Sequence, residues 1–458
     1  MVRTEWNSIS LAILGIGATG FSVAKFFERQ DIPFVFADTR SNPPLLEEAK
    51  QKYPKARFVL ERFDECFFES IEKMVVSPGI PPDNPILEVA REKGIKLIGD
   101  VTIFFEHARA PIVAITGSNG KSTVTSLIGE MAKKSGKKVG IGGNLGPPML
   151  DLLDKKTELY VIELSSFQLE LAEDCQGAVS AILNLSPDHL DRYESFEHYH
   201  SAKQRIFIGA VKAVVNRQDV KTYPSSKHNV AVTSFGVDLP EADDFGLCDQ
   251  LDELWLVGSG KRLLRAQDLA LMGKHNMQNA LAGLALGSCV GLPEDSMIET
   301  LREFRGLPHR CERVAYIDRV LYIDDSKATN VGAVCAAISG FSMISRRNII
   351  LIAGGQSKHD DFGALRDPVR KSVKYCLLLG QASYELSQTL GDVVPVRCMD
   401  TIEECVASAH AEAKPDDVVL LSPACASFDM FLDFADRGVQ FQRAVRDIHN
   451  QYSSREAL

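Results

Sequence analysis

Apolar residues along this chain fall into short continuous runs, each followed by a stretch in which they recur at helical spacing, and this alternation restarts three times. In the first block an apolar run from Ile9 to Leu14 leads through the turn Gly15-Ile16-Gly17-Ala18-Thr19-Gly20 into a stretch with Val23, Phe26 and Phe27 on one helical face. Further strands are predicted over Pro33 to Ala37, ending at Asp38-Thr39-Arg40, and over Lys73 to Val76, ending at Ser77-Pro78-Gly79. The second block opens with Pro111 to Ile115, then Thr116 to Thr123, then a helix with Val124, Leu127, Ile128 and Met131 at i, i+3, i+4, i+7, stopping near Gly136. Strands over Leu159 to Ile162 and Val179 to Leu185 follow, leading to Glu163 and to Asp188-His189. The stretch from Asp219 to Lys261 is polar and reads as less regular, and an Ala/Leu-rich helix covers Asn279 to Cys289. After Gly306-Leu307-Pro308-His309-Arg310, whose Gly and Pro suit a linker, the third block places strands at Leu321 to Ile323, Asn348 to Ala353, Cys376 to Leu379 and Val418 to Leu421.

Alternating β and α segments predict parallel sheets with helices on both faces. The expected fold class is therefore α/β: three consecutive doubly wound domains, a Rossmann-like one over residues 1–100, a P-loop-type ATPase over 101–306 and a second Rossmann-like one over 307–458. A hinge is expected near Gly306 to Pro308.

Composition narrows the function classes. Apolar residues make up 45% and charged residues 24% of 458, a balance that sustains buried cores. A net charge of -10 argues against a broad nucleic-acid footprint. Ten cysteines without a C-x-x-C pair indicate neither a zinc ribbon nor a disulfide framework. The start Met1-Val2-Arg3-Thr4-Glu5-Trp6 lacks a signal-peptide core, and no apolar run approaches the roughly 18 residues of a membrane span, so a cytoplasmic protein with no membrane partner is expected.

The segment Thr116-Gly117-Ser118-Asn119-Gly120-Lys121-Ser122-Thr123 carries the strongest chemical signal. A glycine-rich loop between a buried strand and a helix start wraps backbone N–H groups around phosphate oxygens, Lys121 neutralises the β and γ phosphates, and the Ser122 hydroxyl reaches Mg²⁺. The loop is shorter than the G-x-x-x-x-G-K-[ST] form, because Ile115 stands six before Lys121. Glu163, Asp188 and His189 close neighbouring strands, where open α/β sheets bind ligands, and are candidate metal ligands. Gly15-x-Gly17-x-x-Gly20 with Asp38 also fits a dinucleotide-binding oxidoreductase, but hydride transfer has no use for a phosphate loop with Mg²⁺ ligands. Asn276 and Asn279 share a helical face and suit either a purine edge or simple packing. Asp324 to Asn330 and Ser422 to Phe428 are strand-end loops of the same kind, whereas Cys425 has no readable partner that would make it a nucleophile.

These motifs, with Gly-Gly-Asn at 142–144, Glu-Leu-Ser-Ser-Phe-Gln-Leu-Glu at 163–170, Asp-His-Leu-Asp-Arg-Tyr at 188–193 and His-Asn-Met-Gln-Asn-Ala at 275–280, resemble the Mur ligases over nearly the whole chain. The glycine turn at 15–20, Asp-Asp-Ser-Lys-Ala-Thr-Asn at 324–330 and Ser-Pro-Ala-Cys-Ala-Ser-Phe-Asp at 422–429 look like the branch that adds D-glutamate to UDP-N-acetylmuramoyl-L-alanine. Ser118 stands where that family usually has Thr, which keeps the hydroxyl. The resemblance implies that Thr19, Asp38, Thr39, Arg40, Gly79 and Asn144 bind the UDP substrate. ATP would be bound by Gly117, Ser118, Asn119, Gly120, Lys121, Ser122, Thr123, Asn276, Asn279, Arg310 and Asp325. It further implies D-glutamate on Lys327, Thr329, Ser427 and Phe428, and two Mg²⁺ ions held by Ser122, Glu163, His189 and a carbamylated Lys203. On the residues alone Lys203 reads as a surface lysine, and its modification follows only from the resemblance. Lys121, Glu163, His189 and Lys203 are the expected catalytic group, the substrates are small molecules with ATP as co-substrate, and a monomer is expected.

Overall fold

The computed structural model describes residues 10–189, 192–250, 253–271, 273–343, 346–357 and 361–456. Residues 1–9, which include the start of the first predicted strand, and Leu190 and Asp191 of the 188–193 motif lie outside the described residues.

The first sheet is built from β1 (Leu11–Leu14), β2 (Val35–Asp38), β3 (Arg57–Leu60), β4 (Lys73–Val76) and β5 (Lys96–Ile98), in the order β3-β2-β1-β4-β5. All four pairings are parallel. Ala12, Leu14, Val35, Ala37, Met74 and Val76 pack on Phe67, Phe68, Leu87 and Ala90 from the crossover helices. The alternate residue Phe36 stacks on Phe58, and Phe34 and Tyr53 join it. Both faces of the sheet are thus buried, as a doubly wound sheet requires. Strands β3 and β5 are missing from the sequence reading, because each is only three or four residues long and opens on a charged residue, which leaves too short an apolar run to stand out.

The second sheet contains β6 (Ile112–Thr116), β7 (Val139–Gly143), β8 (Leu159–Glu163), β9 (Ala178–Ile182), β10 (Lys212–Asn216), β11 (Ala231–Phe235), β12 (Phe245–Gln250), β13 (Glu253–Gly258) and β14 (Lys261–Arg265). Their order is β14-β13-β12-β11-β10-β9-β6-β8-β7, parallel from β7 to β12 and antiparallel through β13 and β14. This corrects the expectation of an irregular stretch over 219–261 and of a wholly parallel sheet. Strands β12 to β14 bury only part of each face, so polar residues break the apolar runs. The two-residue link Ser259-Gly260 has φ of 50° and 73°, the doubly positive backbone of a tight hairpin turn, and its Ser-Gly pair is the local signal that announces it.

The third sheet has β15 (Glu312–Ile317), β16 (Val320–Asp324), β17 (Ile349–Gly354), β18 (Val373–Leu379), β19 (Val396–Cys398) and β20 (Val418–Leu421), ordered β15-β16-β20-β17-β18-β19. It is parallel apart from β15, which pairs antiparallel with β16 across Asp318-Arg319, again two positive φ values. Alternate residues separate cleanly: Ile349, Leu351, Leu378 and Leu420 enter one core, Ile350, Ile352, Leu377 and Leu421 the other.

The first two sheets belong to one compact unit, comprising the chain through Leu185, Glu197–Arg265 and Ala280–Thr300. Within it the helix Ala18–Arg29 is tied to the segment after β7: Ser22 donates to Asp151 at 2.8 Å and Arg29 to the Leu150 carbonyl at 3.0 Å. The second unit holds Ser186–Phe196, Ala266–Asn279 and the chain from Leu301, with the third sheet. No helix among the described residues is long and apolar enough to cross a membrane.

Candidate active site

In the first unit, the buried strand β6 feeds directly into the phosphate loop, and the helix Lys121–Lys134 anchors the far side by burying Val124, Leu127, Ile128 and Met131. Gly117 and Gly120 take φ of 149° and 82°, a backbone that side chains resist, and a Cβ on Gly117 would lie 3.2 Å from Leu183. Lys121 Nζ donates to the carbonyls of Gly117 and Ser118 at 2.8 and 3.0 Å, so its ammonium arches over the loop. Ser118 Oγ bonds the Tyr199 hydroxyl at 3.0 Å, and Ser122 and Thr123 are buried at the helix start.

Strand β8 lies beside β6 with Glu163 opposite Ile115, which sets this carboxylate at the carboxyl edge of the sheet next to the loop. Directly after it, Ser165 and Gln168 form a reciprocal capping box at the helix Ser166–Leu169, which fixes the chain's exit from the strand. Glu163 is 2% exposed. Its Oε1 accepts from Asn144 Nδ2 at 2.6 Å, while Oε2 is buried with no hydrogen-bond partner among the described residues. An ionised oxygen in that condition costs several kcal/mol unless a cation meets it. The donor set therefore fits Mg²⁺, with Ser122 supplying a hydroxyl from the helix start. Asn144, expected at the UDP substrate, has both its side chain and its main-chain N–H on Glu163, the latter at 2.8 Å from the carbonyl.

Lys203, on the helix Phe196–Gln204, is 2% exposed, so the surface reading is overturned. Its Nζ donates to Thr116 Oγ1 at 3.1 Å and to the Gly117 carbonyl at 3.0 Å, and lies 4.8 Å from the centre of the Tyr199 ring. Helical periodicity cannot reveal this, because the partners lie more than 80 positions away.

In the first sheet the glycine turn divides its labour. A Cβ on Gly15 would fall 2.6 Å from Ser77 Oγ, and one on Gly20 would fall 2.0 Å from the Gly15 carbonyl, whereas one on Gly17 would meet nothing within 4 Å. Gly15 and Gly20 are fixed by close packing, and Gly17 leaves the start of the helix Ala18–Arg29 open to a ligand. Buried Asp38 accepts from the Ile16 amide at 2.7 Å and from both the Nε and Nη2 of Arg40 at 2.9 Å. Burial alone would raise its pKa, but the Arg40 side chain and these amides outweigh that and hold it below the usual carboxylate range. Thr39, Arg40 and Gly79 are exposed and Thr19 is half-buried at the same end of the sheet.

The second unit gathers the remaining predicted residues. Asp188 is buried and accepts from Asn330 Nδ2 at 3.1 Å, while His189 has φ of 56° and its Nε2 lies 3.8 Å from Asp188 Oδ2. Asn279 donates to Asn276 Oδ1 at 3.0 Å, so the two amides pair with each other. Asp325 is wholly buried, which pushes its pKa up to about 7 although Ser422 Oγ, the Cys311 amide and the Arg310 charge work against that. Lys327 Nζ lies 4.3 Å from the centre of the Phe434 ring, and Thr329 is half-buried nearby in sequence. Ser427 is buried, but Phe428 is 71% exposed.

Sequence reasoning missed Phe434 and also Arg437, a fully buried arginine on the helix Phe434–Glu456. Its guanidinium donates to the carbonyls of Ser326, Cys425 and Ala426 at 2.8, 3.1 and 3.3 Å, tying the loops after β16 and β20 to one side chain. His309, Glu312 and Asp324 also converge, with ligand atoms within 4.8 Å of one another. Gln442 Nε2 donates to both carboxylates there, at 3.1 and 2.9 Å, and satisfies them without an ion.

A phosphate loop backed by a buried, half-satisfied carboxylate, on one of three α/β sheets, defines a nucleotide-binding protein equipped for Mg²⁺-assisted phosphoryl transfer. The family profile described as Mur ligase middle domain matches residues 115–287, that of the Mur ligase MurD-like N-terminal domain matches 10–99, and that of the Mur ligase glutamate ligase domain matches 309–425. The chain belongs to the Mur ligase family. It is 47% identical over 436 residues to the UDP-N-acetylmuramoylalanine–D-glutamate ligase of Pseudomonas fluorescens, covering 95% of this chain and 97% of that one. The ligase of the same name from Hahella chejuensis is 44% identical over 437 residues, covering 95% and 98%. Among solved structures, MurF from Acinetobacter baumannii superposes with a TM-score of 0.61 at 18% identity, covering 94% of this chain and 93% of its own. UDP-N-acetylmuramate-alanine ligase from Thermotoga maritima gives 0.56 at 19%, covering 97% and 99%. At such identities these structures speak for the three-domain fold alone.

Proposed function

We propose that this protein is an ATP-dependent ligase that joins D-glutamate to UDP-N-acetylmuramoyl-L-alanine in the cytoplasm, acting as a monomer in peptidoglycan precursor synthesis. The observation that carries the reading is the 44–47% identity, over at least 94% of the chain, to relatives bearing that name. The phosphate loop and the half-satisfied Glu163 supply the matching chemistry.

The alanyl carboxylate attacks the γ-phosphorus of ATP, ADP leaves, and a mixed anhydride of carboxylate and phosphate remains. The amine of D-glutamate then attacks the acyl carbon, loses a proton, and the tetrahedral intermediate expels phosphate to leave an amide. Lys121 and the amides of the helix start stabilise the charge spread over the transferring oxygens, an effect worth a few kcal/mol per donor. Mg²⁺, when bound, neutralises phosphate charge. Ser122 and Glu163 would hold one ion, and His189 and a carbamylated Lys203 are each proposed as metal ligands. Asn276, Asn279, Arg310 and Asp325 are assigned to ATP. Thr19, Asp38, Thr39, Arg40, Gly79 and Asn144 are assigned to the UDP substrate, and Lys327, Thr329, Ser427 and Phe428 to the glutamate carboxylates.

ADP release by the purified protein, with Mg-ATP and UDP-N-acetylmuramoyl-L-alanine and one amino acid at a time, tests the reading. Release strictly dependent on D-glutamate is expected. Release with another amino acid would move the chain to a sister branch, and no release with any would sink the ligase assignment.

A further inference from the structure

Past the end of β9 the chain does not leave the phosphate loop but runs on beside it. Leu183 N–H donates to the Thr116 carbonyl at 3.0 Å, and the Asn184 carbonyl accepts from Ser118 N–H at 2.9 Å. The Asn184 side chain then completes the ladder: its Oδ1 accepts from Asn119 N–H at 2.9 Å and its Nδ2 donates to the Asn119 carbonyl at 2.9 Å. We propose that Asn184 is a positioning residue for phosphoryl transfer, a side-chain amide that clamps the Asn119 peptide and so holds the phosphate loop in its ATP-receiving shape. This rests on the reading of that loop as the ATP site.

A primary amide carries one acceptor and one donor set side by side, the complement of a peptide's own N–H and C=O. Asp at this position would lack the donor, and Gln would carry the amide one methylene too far. The loop needs such a clamp because Gly117 and Gly120, which give it its shape, also give its backbone the widest choice of alternatives. Asn184 is itself held from behind: Asn216 Nδ2 donates to the Leu183 carbonyl at 3.2 Å, and Asp219 accepts from the Leu185 amide at 2.7 Å. Two consequences follow for chemistry. The Ser118 amide is spent on the Asn184 main-chain carbonyl and the Asn119 amide on the Asn184 side chain, so phosphate oxygens are met from Gly120 onward, in the first helical turn. The donors that stabilise the transferring phosphoryl group are aimed before ATP arrives, which is where preorganised sites gain their rate.

The test uses the full-length protein with Asn184→Ala, and with the nearly isosteric Asn184→Asp in case the smaller residue compromises folding. Steady-state ADP release is measured with each of the three substrates varied in turn. For both variants kcat/KM for ATP is expected to fall on the order of 10- to 100-fold, the scale of a slight misplacement of reacting groups. KM for the UDP substrate and for D-glutamate should stay within about twofold, because uniform binding elsewhere is untouched. A residue that merely stabilises the fold would instead lower the urea midpoint and leave the ATP constants of the folded protein unchanged, and that result would overturn the proposal. A parallel rise in all three KM values would overturn it too. If the wild-type protein releases no ADP with any amino acid, the ligase reading has failed. Calorimetric affinity for Mg-ATP then reads the clamp directly: a loss of about 10-fold or more in Asn184→Ala supports it, and equal affinity refutes it.

Discussion

Glu163 and Lys203 show how much a single buried charge says about function. A buried carboxylate oxygen with no hydrogen-bond partner among the described residues is costly unless a cation meets it, and the Lys203 nitrogen sits where it donates to the phosphate loop's own backbone. If Lys203 is carbamylated, its anionic oxygens rather than its cationic nitrogen do the work. Lys203→Ala should then lose nearly all ADP release and regain a measurable part with added short carboxylates such as formate or acetate. Full activity without rescue would end the idea. Asp100 makes a separate point about stability. It is wholly buried after β5, and burial raises its pKa from 3.8 to about 6 against the pull of the Val101 amide. Between those values the folded protein holds the proton more tightly than the unfolded chain, so the contribution of this one group to stability is greatest below pH 4 and falls as pH rises to about 6. Asp100→Asn removes the titration. Its stability relative to wild type, read from urea unfolding, should therefore rise by on the order of 1–3 kcal/mol between pH 4 and pH 7. A difference that does not vary with pH would show that the burial penalty is relieved in some other way.

Among the elements, β8 and the short helix after it show how a cap can aim a functional side chain. The strand β8 delivers Glu163, and the Ser165–Gln168 capping box sets the direction of departure. Ser165→Ala is expected to cost about 1 kcal/mol in urea unfolding. It should also raise the Mg²⁺ concentration needed for half-maximal ADP release, since Glu163, the proposed metal ligand, loses its brace. An unchanged Mg²⁺ requirement would confine the capping box to stability. The same elements explain what the sequence could disclose. β6, the loop and the helix Lys121–Lys134 were legible because a continuous apolar run, two glycines, a lysine and an i, i+3, i+4, i+7 face are all local. Lys203, Asn184 and Arg437 were not, because each acts on backbone groups 65 or more positions away, or on several loops at once. The meander β12 to β14 was hidden for another reason: half-exposed strands mix polar with apolar residues, and only the Ser259-Gly260 turn betrays them.

At the scale of the whole molecule, three α/β sheets offer three carboxyl edges, and each carries residues of a different chemistry. The first has an open glycine turn beside Asp38 and Arg40, the second a phosphate loop with Glu163, and the third Lys327 over Phe434 with loops pinned by Arg437. The proposed reaction has three substrates, a UDP-linked carboxylate, ATP and an amino acid, one proposed for each edge, and an acyl phosphate is the species that would link their chemistry. The measurement that tests this most directly follows the atoms. UDP-N-acetylmuramoyl-L-alanine labelled with oxygen-18 in its carboxylate is turned over with Mg-ATP and D-glutamate, and the released phosphate is analysed by mass. One labelled oxygen per phosphate is expected, because the oxygen that attacks phosphorus leaves with it when the amine displaces the acyl carbon. Unlabelled phosphate accompanying amide formation would contradict the acyl phosphate and with it the proposed reaction.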